Sequence, residues 1–338
     1  MKFLKLFLFS SIIILLFSFC SKNPVDNEIE NQIDLIDLNE ERLLILRSCY
    51  YSKGFNEINT IKPDGTGLHV VTHYTYDKSK SINENYLSAR WSPDKTKIVA
   101  RGGPGSTMDD RPLWMMDIYG RLLHKLYWRG SDPVWSHDGE YILFQGGSKR
   151  VLSVNIDGTS KRIIYEVDDI DSTDFHLSDV SASGEYILGT EMLYYTNDKG
   201  QRANTDNEIV KIHLETGEKV HLTDNELSDY CPRYNSDETM IAYFCVDIPA
   251  EVTVNEVTNV YIMSSDGSNK RRITNETIPN EIWPFMAWSP DGKKIAFQKL
   301  YKIKYNSDIF IVDIDTGELF QLTDTAKDTV RNLVMDWK

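Results

Sequence analysis

The sequence predicts an all-β protein, a six-bladed β-propeller of four-stranded antiparallel blades, on three observations. One turn-and-strand pattern is written nearly identically three times, as WSPDKTKIVA from Trp91, WSHDGEYILF from Trp135 and WSPDGKKIAF from Trp288. Its anchor positions, Trp91, Trp135, Ser181, Tyr234 and Trp288, recur every 44 to 54 residues and alternate with hairpin signals. The two ends of the chain are complementary fragments of the same repeat. A period of this length with four strands is the signature of a propeller blade.

Each repeat contains strands a, b, c and d. Strand a ends on the anchor, a polar turn follows, and strand b is a run of apolar residues. In the full turn, Ser-Pro-Asp-Gly, proline presets φ, aspartate bonds its own backbone and glycine takes the left-handed position. Degenerate copies occur at SASGEYIL from Ser181 and YNSDETMIA from Tyr234. Strands c and d are joined by a second turn, clearest in VYIMSSDGSNKRRIT from Val260, and recurring from Ile209 and Ile309. An Asp-Gly or Thr-Gly step between two β-rich runs is a hairpin signal.

The first repeat begins at strand b (Leu43 to Tyr50), with c near Ile58 to Ile61 and d near Leu68 to Thr72. It lacks strand a. The chain ends on Leu333-Val-Met-Asp-Trp337, a strand a without a strand b. Pairing the last strand with the first three closes the ring and leaves no unpaired blade. The repeat aromatics Trp91, Trp135, Tyr234 and Trp288 are then wedges between blades, because twisted sheets around an axis need bulky filler.

On these residues the chain resembles the TolB-type propeller family, with its WD-like Ser-Pro-Asp-Gly repeat, over about residues 43 to 338. The resemblance implies the propeller itself and a scaffold used for binding. It does not imply one chemistry, since function lies in sites grafted onto such a fold. TolB carries a separate domain before its propeller; only a tether is expected here.

That tether follows a targeting segment. Lys2 and Lys5 precede an apolar run from Leu6 to Phe19 that ends on Cys20. The run is a signal-peptide core and is too short for a spanning helix. Phe17-Ser-Phe-Cys20 resembles a lipobox, whose cysteine is lipidated after cleavage, although the large Phe19 precedes the cysteine; simple secretion is the alternative. The expected organisation is a signal peptide over 1–19, a lipidated Cys20 and flexible tether over 20–41, and the propeller over 42–338. This places the protein in a bacterial cell envelope, lipid-anchored on the periplasmic or outer-membrane face, with the lipid as its only membrane contact. If Cys20 is lipidated, Cys49, Cys231 and Cys245 remain, an odd number. Buried free thiols are expected in preference to a Cys231–Cys245 bridge.

Net charge is −14, which excludes a phosphate-tracking nucleic-acid binder. The turns joining a to b and c to d are short, whereas every long connection joins b to c or d to a. Those long connections emerge on one face, which is therefore the expected working surface. The ends of the d–a loops should line the channel mouth. With the aromatics that stand outside the repeat, they give the expected ligand-binding set Arg90, Trp128, Arg129, Asp132, Asp174, His176, Asp229, Arg233, Trp283 and Arg331, with Tyr86 beside them. Exposed aromatics next to charges suit a glycan or peptide; capping the core beneath the loops is the structural alternative. No cofactor is expected. The loop carrying Asp168, Asp169, Asp171 and Asp174, near His176, offers oxygens to a divalent cation but reads as a solvated loop.

No Gly-x-Ser-x-Gly, His-Glu-x-x-His or Cys-x-x-Cys motif is present. The expected function is a non-catalytic binding or scaffolding propeller that is monomeric and engages an envelope protein or glycan. The alternative is a polysaccharide-active lyase or hydrolase with a metal or acid–base site at the channel mouth, built around Asp174 and His176.

Overall fold

The computed structural model describes residues 36–49, 56–72, 76–77, 82–83, 85–104, 106, 111–167, 173–196, 202–248, 257–275, 278–279, 285–301, 306–325 and 330–338. Every regular element among them is a strand. Cys20, Trp283, Asp168, Asp169 and Asp171 lie outside the described residues, as does the whole leader and most of the tether.

Four strand sets form separate antiparallel sheets in a–b–c–d order. They are Asn85–Trp91, Lys97–Gly103, Leu113–Asp117 and Leu122–Tyr127; Ser131–Trp135, Tyr141–Gln145, Arg150–Asn155 and Arg162–Glu166; Thr173–Val180, Tyr186–Thr196, Arg202–His213 and Lys219–His221; and Ser228–Tyr234, Met240–Ile248, Val257–Ser264 and Arg271–Arg272. The sequence predicts six separate sheets, and here the structure differs. Among the described residues, Tyr76–Asp77 and Ile82–Asn83 pair only with each other, Ile278–Pro279 adds a fifth strand beside Val257–Ser264, and the other eight strands share one sheet. One half is Met286–Trp288, Lys294–Tyr301, Asn306–Asp313 and Leu319–Gln321; the other is Val330–Trp337, Leu43–Cys49, Asn56–Ile61 and His69–Val70. A single parallel bridge, Ser307 to Arg331, joins the halves. The cause is close backbone approach, since Ser307 Oγ donates to the Asn332 carbonyl at 2.6 Å.

The carboxyl-terminal strand closes on the first. Leu43 faces Trp337 and Cys49 faces Val330 in an antiparallel ladder, with a bulge after Leu44. Beyond the ladder, Arg42 N donates to the Lys338 carbonyl at 2.8 Å and Lys338 N returns to Arg42 at 3.1 Å. Leu43–Cys49 thus lies between two partners and presents no free edge.

Alternation of side chains explains the apolar runs of the b strands. Leu44 and Leu46 point into a cluster with Trp91, Ile98 and Met116, while Leu43 and Ile45 point into another with Ala287, Ala296, Ile309 and Trp337. Ile142 and Phe144 similarly face one neighbour and Leu143 the other. Strands buried on both faces read as continuous hydrophobic runs. Six such clusters occur among the described residues, each drawn from two successive strand sets.

The a–b turns have the chemistry their sequence predicts. Ser136 and Ser289 each donate to the aspartate two residues on at 2.6 Å, and accept the backbone N–H five residues on at 3.0 and 2.9 Å. Asp138 and Asp291 also accept the N–H of Glu140 and Lys293. The anchors Trp91, Trp135 and Trp288 are buried, as is Trp337. The indole N–H of Trp135 donates to the Arg90 carbonyl at 3.2 Å and that of Trp288 to the Arg233 carbonyl at 3.0 Å. Trp135 and Trp288 therefore wedge against strand a of the preceding set.

Candidate functional site

The residues expected to form one mouth are dispersed among separate cavities, buried polar contacts, the closing ladder and the core. The first cavity, about 360 Å³, opens on the tight-turn side and is lined from the ends of several a strands. Arg90 and Arg233 lie here, one residue before the anchors Trp91 and Tyr234, with Asp179 and Asp336 in the corresponding places of other strands. Arg90 donates to the Met335 carbonyl and Arg233 to the Ser178 carbonyl. The Asp336 carboxylate accepts Trp91 N at 3.0 Å, and Asp179 accepts Tyr234 N at 3.1 Å. Both arginines are thus engaged in holding neighbouring strand sets together. Burial raises the Asp179 carboxyl to about 6, against the pull of Arg90.

A second cavity of about 40 Å³ holds Asp132 and His176 with Thr190, Cys231, Arg233 and Phe285. Asp132 and Cys231 have left-handed backbone, at φ 49° and 54°, each at a strand bulge and each followed by proline. Such strained positions concentrate where a fold must aim a particular side chain. Burial lowers the His176 pKa, opposed by Asp132 and Asp174. Burial also pushes the Cys231 thiol up to about 12 and the Cys245 thiol up further in the same direction. Both are free, Cys231 half-buried and Cys245 buried, and the raised pKa keeps each thiol protonated. No group of three or more potential ligands in metal-binding geometry occurs among the described residues.

The third cavity, about 560 Å³, lies on the long-loop side between the second and third strand sets of the chain. It is flanked by the d–a connection through Trp128, Arg129 and Gly130 and by the b–c connection through Gly146 and Gly147. Trp128 is 56% exposed and its ring lies 5.8 Å from that of Tyr127. Gly130 permits this path: a Cβ there would stand 2.7 Å from the Phe144 ring and 3.0 Å from Leu113. Arg101, Arg111, Arg150 and Lys161 complete the basic lining.

The other expected residues are held elsewhere. Asp174 is buried and pairs with Lys149 at 3.0 Å. Asp229 is buried opposite Cys245 and accepts Asn225 Nδ2 at 2.7 Å; burial raises its pKa. Arg331 stands opposite Ser48 in the closing ladder. Tyr86 is a core residue, 3% exposed and packed with Trp91 and Ile98, and not a mouth residue. Gly102 on the paired strand permits this close approach, since a Cβ there would stand 2.0 Å from the Asn85 carbonyl oxygen and 3.1 Å from Tyr86 Cα.

Reading the sequence alone misses Arg101, Arg111, Arg150 and Lys161. Arg101 carries a signal: it is a cation inside the strand KIVARGG, where the equivalent strands YILFQ and KIAFQKLY place glutamine. The others come together only through the fold.

No protein-family model matches the chain, and no curated protein matches it in sequence. Solved structures do. TolB from Acinetobacter baumannii superposes with TM-score 0.64 at 16% identity, over 88% of this chain and 66% of that one. The chain thus spans just under two thirds of that relative. TolB described as putative from Agrobacterium tumefaciens gives 0.55 at 15% identity, over 88% of this chain and 99% of that one. A chain of the nidogen/laminin complex gives 0.56 at 8% identity, over 88% and 97%. These likenesses establish the fold, a TolB-like β-propeller of antiparallel four-stranded blades.

Proposed function

We propose that this TolB-like propeller is a non-catalytic binding or scaffolding module of the bacterial envelope, presenting its long-loop face to a protein or glycan. The observation that carries the reading is the asymmetry of the two faces. The tight turns are closed on themselves by hydrogen bonds around a 360 Å³ cavity lined by Trp91, Trp135 and Trp288, all buried, whereas the long-loop side carries the exposed Trp128 beside a cavity of 560 Å³. Concave sites with an aromatic and a few polar groups are where ligands bind. A similar chain in the nidogen/laminin complex supports use of such a propeller in a protein assembly.

The ring is read as six blades by dividing the eight-stranded sheet at its single bridge, Ser307 to Arg331. Six core clusters, each between successive strand sets, support that division. Anchoring through Cys20 is part of the same reading, carried by the apolar run ending on that cysteine.

The test is recovery of partners from envelope extract by the full-length chain and by two surface variants. Trp128→Ala with Arg129→Ala, on the long-loop side, is expected to lose them. His137→Ala with Ser236→Ala, on the tight-turn side, is expected to keep them. Equal recovery by both variants would contradict the choice of face.

A further inference from the structure

We propose that the 560 Å³ cavity binds an anionic oligosaccharide, a run of sugar rings bearing carboxylates or sulfates. The inference rests on the long-loop face being the working surface and names the ligand class for it.

Among the described residues five cations line the cavity: Arg101, Arg111, Arg129, Arg150 and Lys161. Among the described residues the lining contains no carboxylate; Glu166 beside it holds Arg150 at 2.7 Å. In a chain of net charge −14, this runs against the overall balance. Arg101, Arg111 and Arg129 form no ion pair among the described residues. Arg101 Nε is buried without a hydrogen-bond partner. Burial also depresses the Arg101 pKa, and the neighbouring Arg111 adds to that effect, while Asp132 opposes it.

An unpaired buried donor on a charged group is costly, and folding alone has not removed that cost. An anion would. Guanidinium groups offer planar, paired donors that match the oxygens of a carboxylate or sulfate.

The aromatic and apolar rim decides between ligand classes. Trp128 is 56% exposed and Ile163 52% exposed, and both line the cavity together with the cations. A sugar ring can cover an indole face while its acidic substituent reaches the arginines. An acidic peptide would satisfy the cations and leave the indole uncovered. A free phosphate is too small to span cations distributed around a cavity of this volume, which falls within the range of small-molecule sites. The overall acidity argues against a nucleic acid.

Isothermal titration of the full chain provides the test, with four probes: a mannuronate tetrasaccharide, a sulfated galactan tetrasaccharide, neutral mannotetraose and tetraglutamate. One or both acidic sugars are expected to bind, more weakly as salt rises, and which one binds identifies carboxylate or sulfate as the preferred group. Neutral mannotetraose is expected not to bind. Trp128→Ala and Arg129→Gln alter exposed side chains, and each is expected to weaken acidic-sugar binding at least tenfold; Arg129→Lys, which keeps the charge, is expected to recover part of it. Absence of binding by both acidic sugars, equal binding of tetraglutamate, or unchanged affinity in both variants would overturn the proposal. If acidic sugars fail while the long-loop variants still lose their envelope partners, the ligand class falls and the choice of face stands.

Discussion

The indole of Trp288 donates to the backbone carbonyl of Arg233 at 3.0 Å, and the same contact joins Trp135 to Arg90 at 3.2 Å. Each arginine in turn donates to the preceding strand set, Arg233 to Ser178 and Arg90 to Met335. There Asp179 and Asp336 accept the N–H of Tyr234 and Trp91. Val180, which pairs with Ile187 as Trp91 pairs with Ile98, holds the anchor place that the repeat pattern in the sequence assigns to Ser181. The position before the anchor therefore reads aspartate, arginine, apolar (Asp336, Arg90, Val134) and then again aspartate, arginine, apolar (Asp179, Arg233, Ala287). Two groups of three strand sets are wired alike.

The wiring predicts unequal costs for one substitution. Trp288→Phe or Trp135→Phe strands a carbonyl acceptor and should cost about 1–2 kcal/mol beyond the packing loss. Trp91 and Trp337 have buried indole N–H groups without a partner. Their replacement by phenylalanine should cost packing alone. Urea unfolding of the four variants checks the ranking; four equal losses would contradict it.

The pH dependence of stability has a defined sign at Asp179. Burial raises its carboxyl from 3.8 to about 6 in the folded chain. The native state binds the extra proton, so this contribution is greatest below pH 3.8 and is lost as pH rises through 6. Asp179→Asn should stabilise the protein at pH 7 by on the order of 1–2 kcal/mol and change little at pH 3.5. The turn aspartates act oppositely. Hydrogen bonds from neighbouring donors lower the pKa of Asp64, Asp138, Asp157, Asp237, Asp266, Asp291 and Asp313. Their contribution is present above the ordinary aspartate value and is lost as pH falls through the lowered ones. Unfolding curves of the parent and Asp179→Asn at pH 3.5, 5 and 7 check both signs.

Glu208 should titrate near neutrality. Burial raises its carboxyl to about 7, with Asp206 and Asp229 adding to the rise and hydrogen bonds from Thr223 and Asn225 opposing it. Carbon-13 NMR of labelled glutamate carboxyls is expected to show one resonance moving near pH 7 that Glu208→Gln removes. All glutamates titrating below pH 5 would contradict the buried cluster.

The strands and their turns were legible in the sequence because their causes are local. Proline and glycine fix turn dihedrals, Ser136 and Asp138 bond within their own turn, and apolar runs follow from burial on two faces. The pairing of Trp337 with Leu43 was also legible, since the terminal repeats are each missing what the other has. The site was less so. Trp128 is exposed beside a cavity as its position outside the repeat suggests, yet its basic partners Arg101 and Arg150 lie on different strands and Lys161 in a connection, and only the fold brings them together. Arg90 and Arg233 follow d–a loops in sequence but sit at the far end of strand a, so they meet on the tight-turn side.

Ring closure can be measured directly by native-state hydrogen exchange on the parent chain and on a variant ending at residue 329. Loss of the Val330–Trp337 strand is expected to abolish protection of the Leu43–Cys49 amides paired with it and to lower the unfolding midpoint of the entire β-domain. Unchanged protection at Leu43–Cys49 and an unchanged midpoint would contradict a ring held shut by its two ends.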